Sequence, residues 1–432
     1  MKTLDTESAA RLSAAAAAAQ IRAGRLSATD LLEACIERIE ARDDAVRAWE
    51  HLDLAGARAA ARRLDAGPQH GVLHGVVVGI KDMIDTAGMP TRYGSPIYAA
   101  HQPQEDAACV RRLREAGAIV LGKTVTTEFA AYHAGKTRHP HDPRHTPGGS
   151  SSGSAAAVAD FQAGIALGTQ TSGSTIRPAS FNGVLGYKPT FGRFDVAGIK
   201  PLAPSLDTLG FLARSFADFD LIGQAFGLAA DVPRPARALR VGVCRTDRWL
   251  SAEVPMRDAF ERTAAKLAAH GAQLSEVVLP SQFDQLHGAH QIVMCREAAR
   301  AYTYERHAHG ARLSAAFRQL LADGLSYAEL DEQEAWRQVH ACREYFRMVM
   351  RDVDVLLTPA APGEAPSDPV FTGNPVFNRV WTLLGVPCVT FPVDRGAAQL
   401  PLGVQVVGPV GGDEALLACA AWMAGHTAVS IG

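Results

Sequence analysis

Two short stretches of glycine and small hydroxyl residues hold the groups from which a nucleophilic site can be built. One is Gly148-Gly149-Ser150-Ser151-Ser152-Gly153-Ser154, and the other is Thr171-Ser172-Gly173-Ser174. Glycine admits positive φ, and successive backbone N–H groups in such loops form anion-binding nests, so both stretches suit close approach of backbone to substrate. A flexible Gly/Ser linker does not fit, because the alanine-rich run 155–159 and the apolar run Gly164-Ile165-Ala166-Leu167-Gly168 embed the loops in regular structure. Gly149-Ser150-Ser151-Ser152-Gly153 also matches G-x-S-x-G, the nucleophile elbow, with Ser151 as the reactive hydroxyl. That elbow needs a buried strand before it, whereas residues 138–147 hold three prolines. Neither loop ends in G-K-[ST], which sets aside a phosphate-binding P-loop.

The stretch 146–190 resembles the signature of the amidase signature family of serine hydrolases, which cleave amides with a Ser–cis-Ser–Lys triad. Ser174 falls on the family's nucleophile and Ser150 on its bridging serine, 24 positions apart. Lys81 falls on the lysine, closing the run Gly75-Val76-Val77-Val78-Gly79-Ile80. The likeness continues through Asp85-Thr86-Ala87-Gly88, Leu121-Gly122-Lys123-Thr124 and residues 400–408, and so covers nearly the whole chain.

Each part of the triad has a physical reason. A serine hydroxyl needs a base within hydrogen-bond reach, and lysine serves as one only when burial or nearby positive charge lowers its pKa. The resemblance implies that Lys81 takes a proton from Ser150 while Ser150 takes one from Ser174, with a cis peptide at Gly149–Ser150. It implies an oxyanion hole of backbone N–H groups at Thr171, Ser172, Gly173 and Ser174. Ser172 departs from the usual glycine and Gln170 from a common aspartate; a positive φ at 172 would strain serine. Thr175-Ile176-Arg177-Pro178 and Asn378-Arg379-Val380-Trp381-Thr382-Leu383 are most similar to malonamidase-type members, in which an arginine at the position of Arg177 binds a substrate carboxylate. Geometrically a guanidinium suits that task. The alternative for Arg177, a brace bonded to loop carbonyls, stays open.

These residues require elements that position them. Val76–Ile80 is continuously apolar, as in a strand buried on both faces, and would deliver Lys81 at its end. Residues 106–116 and 118–121 read as a helix and the next strand. Helices are expected over 8–24, from Ser27 onward, and over 54–65; residues 181–190 read as strand and turn, and 239–243, 353–359 and 403–408 as strands. Helices are expected at 254–270, within 285–350, at 378–387 and at 413–425, with a proline-rich loop at 363–375. The expected fold is α/β: one large domain over 1–432 with a mixed, mostly parallel central β-sheet covered by helices on both faces. Its signature core would span about 70–215 and a helical cover about 250–350, where substrate selectivity could vary. His133, His139, His141 and His145 cluster before the first loop; proline-rich surroundings predict a solvated loop rather than a metal site or a base.

Composition narrows the function classes. The chain has 432 residues, 47% hydrophobic and 20% charged, with formal net charge −2. That balance fits a globular protein and argues against nucleic acid or an anionic membrane as a partner. The polar N-terminus does not read as a signal peptide, no apolar run is long enough to span a bilayer, and seven unpatterned cysteines suggest reduced thiols, so a cytoplasmic location is expected. The expected partner is a small-molecule amide; no metal or organic cofactor is implied, and a homodimer is one assembly left open. The reaction expected is hydrolysis of a small, malonamate-like amide to an acid and ammonia. The competing readings are an arylamide or urea-derivative (allophanate- or biuret-like) hydrolase, the amidase subunit of a tRNA-dependent amidotransferase, and an inactive amidase-fold binding protein.

Overall fold

The computed structural model describes residues 6–229 and 238–430. Their β-structure is one eleven-stranded sheet. Its strands are β1 (Trp49–Leu52), β2 (Val77–Lys81), β3 (Ile119–Thr124), β4 (Ile165–Gln170), β5 (Leu185–Lys188), β6 (Thr208–Ala213), β7 (Arg240–Val243), β8 (Gln273–Glu276), β9 (Val355–Pro359), β10 (Cys388–Arg395) and β11 (Pro401–Val407). They lie in the order β1-β3-β2-β4-β6-β5-β10-β11-β9-β7-β8. Successive residues of β2 enter different hydrophobic clusters: Val78 and Ile80 pack with Val110 and Leu113, while Val77 packs with Leu32 and Ile36. Helices therefore cover both faces of the sheet, and the fold is a single large α/β domain.

The sheet is mixed, but it is not mostly parallel. Among the described strands four pairings are parallel and six antiparallel. The expectation fails because it includes no strand at β6 or β10. β6 returns antiparallel to both β4 and β5, and β10 joins β11 through a short hairpin, a connection open to antiparallel neighbours alone.

Several helices begin where a side-chain cap allows them to. Ser27 accepts from Asp30 N to open Ala28–Val46, and Asp53 accepts from Gly56 N to open Leu54–Ala66. The helix expected over 8–24 is instead two, Thr6–Arg11 and Ala14–Arg22, because Ser13 accepts from Ala16 N and starts a new one. Residues Phe181 and Asn182 end the helix Ile176–Asn182 rather than belonging to a strand; Gly183 closes it in the left-handed region before β5 begins.

The short helix Ser152–Ala159 is buried at every residue, which explains its run of small side chains. A Cβ at Gly153 would lie 2.2 Å from Ala48 O and 2.4 Å from Val125 N. All seven cysteines are buried, and none is in a disulfide. No helix among the described residues is long and apolar enough to cross a membrane.

Candidate active site

β2 and β4 are parallel neighbours, with Ile80 opposite Leu167. Their ends therefore carry Lys81 and Thr169 to the same level. The Lys81 amine is fully buried and donates to Ser150 Oγ at 2.7 Å and to Thr169 Oγ1 at 2.7 Å. Burial lowers its pKa to about 7, opposed by the negative charge of Asp207. Ser150 follows a cis peptide bond to Gly149. Lys81, Ser150 and Thr169 are thus drawn together from three separate segments.

Ser174 is 6% exposed, against 2% for Ser150. Among the described residues its hydroxyl takes no hydrogen-bond partner, so the bond to Ser150 is not made here. Catalytic hydrogen bonds often tighten only once substrate is bound. Ser151, by contrast, is fully buried, and its hydroxyl donates to Thr169 O and accepts from Thr169 N. No strand precedes it. The elbow alternative lacks both the exposed hydroxyl and the strand it needs.

The loop 171–174 has every carbonyl tied back. Thr171 O accepts from His290 Nε2 at 2.9 Å and Ser172 O from Thr382 Oγ1 at 2.7 Å. Gly173 O accepts from Arg177 N and Ser174 O from Ser151 N. The amides of Ser172, Gly173 and Ser174 have no acceptor among the described residues. Carbonyls that are pinned and amides that are unpaired make a concentration of positive backbone dipole beside the Ser174 hydroxyl.

Side chains hold this loop from several directions. Thr171 Oγ1 donates to Asp207 Oδ1 at 2.5 Å, while Asp207 Oδ2 accepts from the amides of Leu202 and Ala203. Burial pushes the Asp207 carboxyl up to about 6. Gln170 Oε1 accepts from Thr175 N and Ile176 N, and its Nε2 donates to Thr382 Oγ1. Ser172 has no positive φ, so the strain that serine would carry there does not arise. Its hydroxyl instead meets His290 Nε2 at 3.2 Å and Met294 Sδ at 3.5 Å. His290 is fully buried, and burial lowers its pKa to about 3, which keeps the ring neutral with its proton on the nitrogen facing Thr171 O.

Arg177 is buried in the loop wall. Its Nε donates to Thr372 O at 2.8 Å and its Nη2 to Gly149 O at 2.7 Å, while Nη1 has no partner. A Cβ added to Gly173 would lie 2.9 Å from that Nη1 and 2.3 Å from Asn378 Oδ1, itself unpartnered. Glycine at 173 is therefore required by the closeness of these two groups.

The histidine cluster only partly follows expectation. The segment is a loop, but His139 is fully buried and its Nε2 meets Phe181 O at 2.9 Å. It braces the helix that follows Ser174 instead of facing solvent. His133 and His141 are exposed, and among the described residues no three His, Cys, Asp or Glu side chains gather as a metal-binding group. Sequence reasoning missed Thr169, Asp207 and His290, and it singled out the 378–383 segment without giving Thr382 a role. For Asp207 the Ser205-Leu206-Asp207 turn before β6 offered a weak signal; Thr169 and His290 carry no local one.

The Amidase family model matches residues 30–417 of this chain. The chain belongs to the amidase family. This amidase is 33% identical to a glutamyl-tRNA(Gln) amidotransferase subunit of Chloroflexus aggregans, over 92% of this chain and 92% of that protein. It is 33% identical to 2-amino-5-chloromuconic acid deaminase of Comamonas testosteroni, over 93% of each chain. Among solved structures it superposes on the native peptide amidase of Stenotrophomonas maltophilia with a TM-score of 0.83 and 29% identity, covering 98% of both chains. The amidase is an enzyme of the amide-cleaving kind, with the amidase signature fold.

Proposed function

We propose that this amidase hydrolyses a small amide to a carboxylic acid and ammonia, with Ser174 as nucleophile, Ser150 as proton bridge and Lys81 as base. The observation that carries the reading is the 171–174 loop: its carbonyls are tied back and its amides left unpaired beside Ser174, while Lys81 reaches Ser150 at 2.7 Å.

Neutral Lys81 accepts the Ser150 proton as Ser150 accepts that of Ser174. The Ser174 oxygen forms a bond to the amide carbon, and the negative charge on the carbonyl oxygen is met by the loop amides, each worth roughly 2.7–4 kcal/mol in such sites. The C–N bond then breaks as the relay returns the proton to the leaving nitrogen, which departs as ammonia. Water enters by the reverse route, gives its proton to the relay, and releases the acid from Ser174. Thr169 keeps the Lys81 amine aimed at Ser150.

Arg177 serves this site in two ways. Its Nε and Nη2 brace Thr372 and Gly149, and Nη1 is the donor left for a substrate carboxylate. A carboxylate-bearing, malonamate-like amide is accordingly the preferred substrate class. A relative named for its action on 2-amino-5-chloromuconic acid supports an acidic substrate. Residues 250–350 act as the selectivity-bearing cover, since the helix Leu286–Ala301 brings His290 and Met294 to Ser172. The likeness to a glutamyl-tRNA(Gln) amidotransferase subunit favours a second reading, the amidase component of a transamidating assembly.

Ammonia release from small amides, carboxylated and neutral, by the isolated chain and by Ser174→Ala tests the proposal. Ser174-dependent release without added partners supports hydrolysis. Turnover confined to glutamine with partner subunits present would move the protein to the second reading.

A further inference from the structure

We infer that Arg379 is a specificity-determining residue that receives the negative charge of the substrate beside the nucleophile loop, an inference that rests on the hydrolytic reading above. Arg379 opens the helix Arg379–Leu384, directly after Asn378. That asparagine and Arg177 Nη1 converge on Gly173, within 2.3 and 2.9 Å of where a Cβ would stand. The backbone thus places Arg379 one residue from the wall of the nucleophile loop.

Its guanidinium is uncompensated. Among the described residues it makes no side-chain hydrogen bond or ion pair, and its Nε is buried without an acceptor. Other arginines of this region are occupied: Arg177 holds two carbonyls, Arg343 holds Leu383 O and Leu384 O, and Arg296 pairs with Glu332. The carboxylate on the covering helix, Glu297, is taken by Ser205 N and Oγ. Asp207 is taken by Thr171 and two backbone amides. Neither Glu297 nor Asp207 is therefore free to pair with Arg379.

The charge of Arg379 reaches the site. It opposes protonation of Arg177 and His290 and favours ionisation of Tyr132, a side chain 41% exposed. Arg177 is held below the usual guanidinium range by burial and by the like charge of Arg379, opposed only by Tyr132, and no acid takes part. Two guanidiniums, one of them buried, that repel each other without a counter-ion are costly, and an arriving carboxylate removes that cost. Planar guanidinium groups bind carboxylates with paired, charge-assisted bonds. The ligand class is a small amide with a free carboxylate one or two carbons from the amide carbon. Arg177 keeps the loop in shape with two nitrogens and offers Nη1 to the carboxylate; Arg379 supplies the further positive charge that selects for it.

Two measurements test this. The first compares kcat/KM for malonamate and for 3-methylbutanamide, its neutral counterpart of like shape, in the parent, Arg379→Met and Arg379→Lys. The expected result is a fall of about 10–100-fold in the malonamate-to-neutral ratio for Arg379→Met, carried by KM, with partial recovery in Arg379→Lys. An equal loss on both substrates, or an unchanged ratio, overturns the inference. The second needs no turnover: calorimetric binding of malonate to Ser174→Ala, with and without Arg379→Met. Malonate binding that weakens about tenfold or more supports the inference, and binding that is absent or equal in both proteins overturns it. Loss of all Ser174-dependent ammonia release would count against the hydrolytic reading, while the malonate measurement would still decide the role of Arg379.

Discussion

The Lys81 amine lies 2.7 Å from the Ser150 hydroxyl and 2.7 Å from that of Thr169, in a pocket where no carboxylate bonds to it. Two neutral hydroxyls stabilise an ammonium less well than water does, so burial brings its pKa down to about 7. The sign of the pH dependence follows. Protonated Lys81 cannot accept a proton, so kcat/KM falls about tenfold per pH unit below about 7 and levels off above it. A pH–rate profile that is flat from about 5 to about 8 would refute Lys81 as the base.

Ser174→Ala is expected to abolish measurable turnover, and Ser150→Ala to reduce kcat by roughly 10²–10⁴, the usual weight of a positioned proton carrier. Hydroxylamine trapping supplies the check. Acyl hydroxamate should form from amide substrate with the parent and not with Ser174→Ala. Trapping that persists in Ser174→Ala would place the nucleophile elsewhere.

Gly173→Ala pushes a methyl group to within 2.3 Å of Asn378 Oδ1 and 2.9 Å of Arg177 Nη1. Neither neighbour can withdraw without leaving another bond, because Asn378 Nδ2 holds Ala360 O and Arg177 holds Thr372 and Gly149. The variant should lose about 1–3 kcal/mol of stability and most of its kcat. Adding Asn378→Ala should restore part of the stability in urea titrations; no recovery would mean that the clash lies elsewhere.

Gln170→Leu removes the acceptor for Thr175 N and Ile176 N and the donor to Thr382 Oγ1. Each buried group left unpaired costs about 1–3 kcal/mol, so a clear fall in Tm is expected. Gln170→Glu keeps the acceptor for the two amides and should lose less. A Gln170→Glu protein no more stable than Gln170→Leu would show that these bonds do not hold the helix start.

Lys81, Ser150 and Ser174 are legible only through the resemblance to the amidase signature, since by residue type alone Lys81 reads as an exposed lysine at a strand end; the structure brings Lys81 to Ser150 at 2.7 Å. The strand bearing Lys81 and the helix opened by Ser27 follow from local pattern. Thr169 and His290 were not legible. Each has an ordinary local context and gains meaning from a partner 88 or 119 residues away. β6 and β10 escaped notice because central antiparallel strands lack the helix-alternating rhythm of a βαβ repeat, and that omission produced the expectation of a mostly parallel sheet. For Arg177 two roles stayed open, since residue type cannot tell a brace from an anchor; the positions of Gly149 O and Thr372 O decide where two of its nitrogens go.

The meeting of Lys81 with Ser150 and Thr169 joins segments 69 and 88 residues apart, across neighbouring strands of one sheet. Contacts of such sequence separation form late, because chain closure must precede them. In a refolding experiment, recovery of turnover would therefore trail recovery of far-UV helical signal. A partly assembled chain holds all three reactive side chains yet has no base with a lowered pKa.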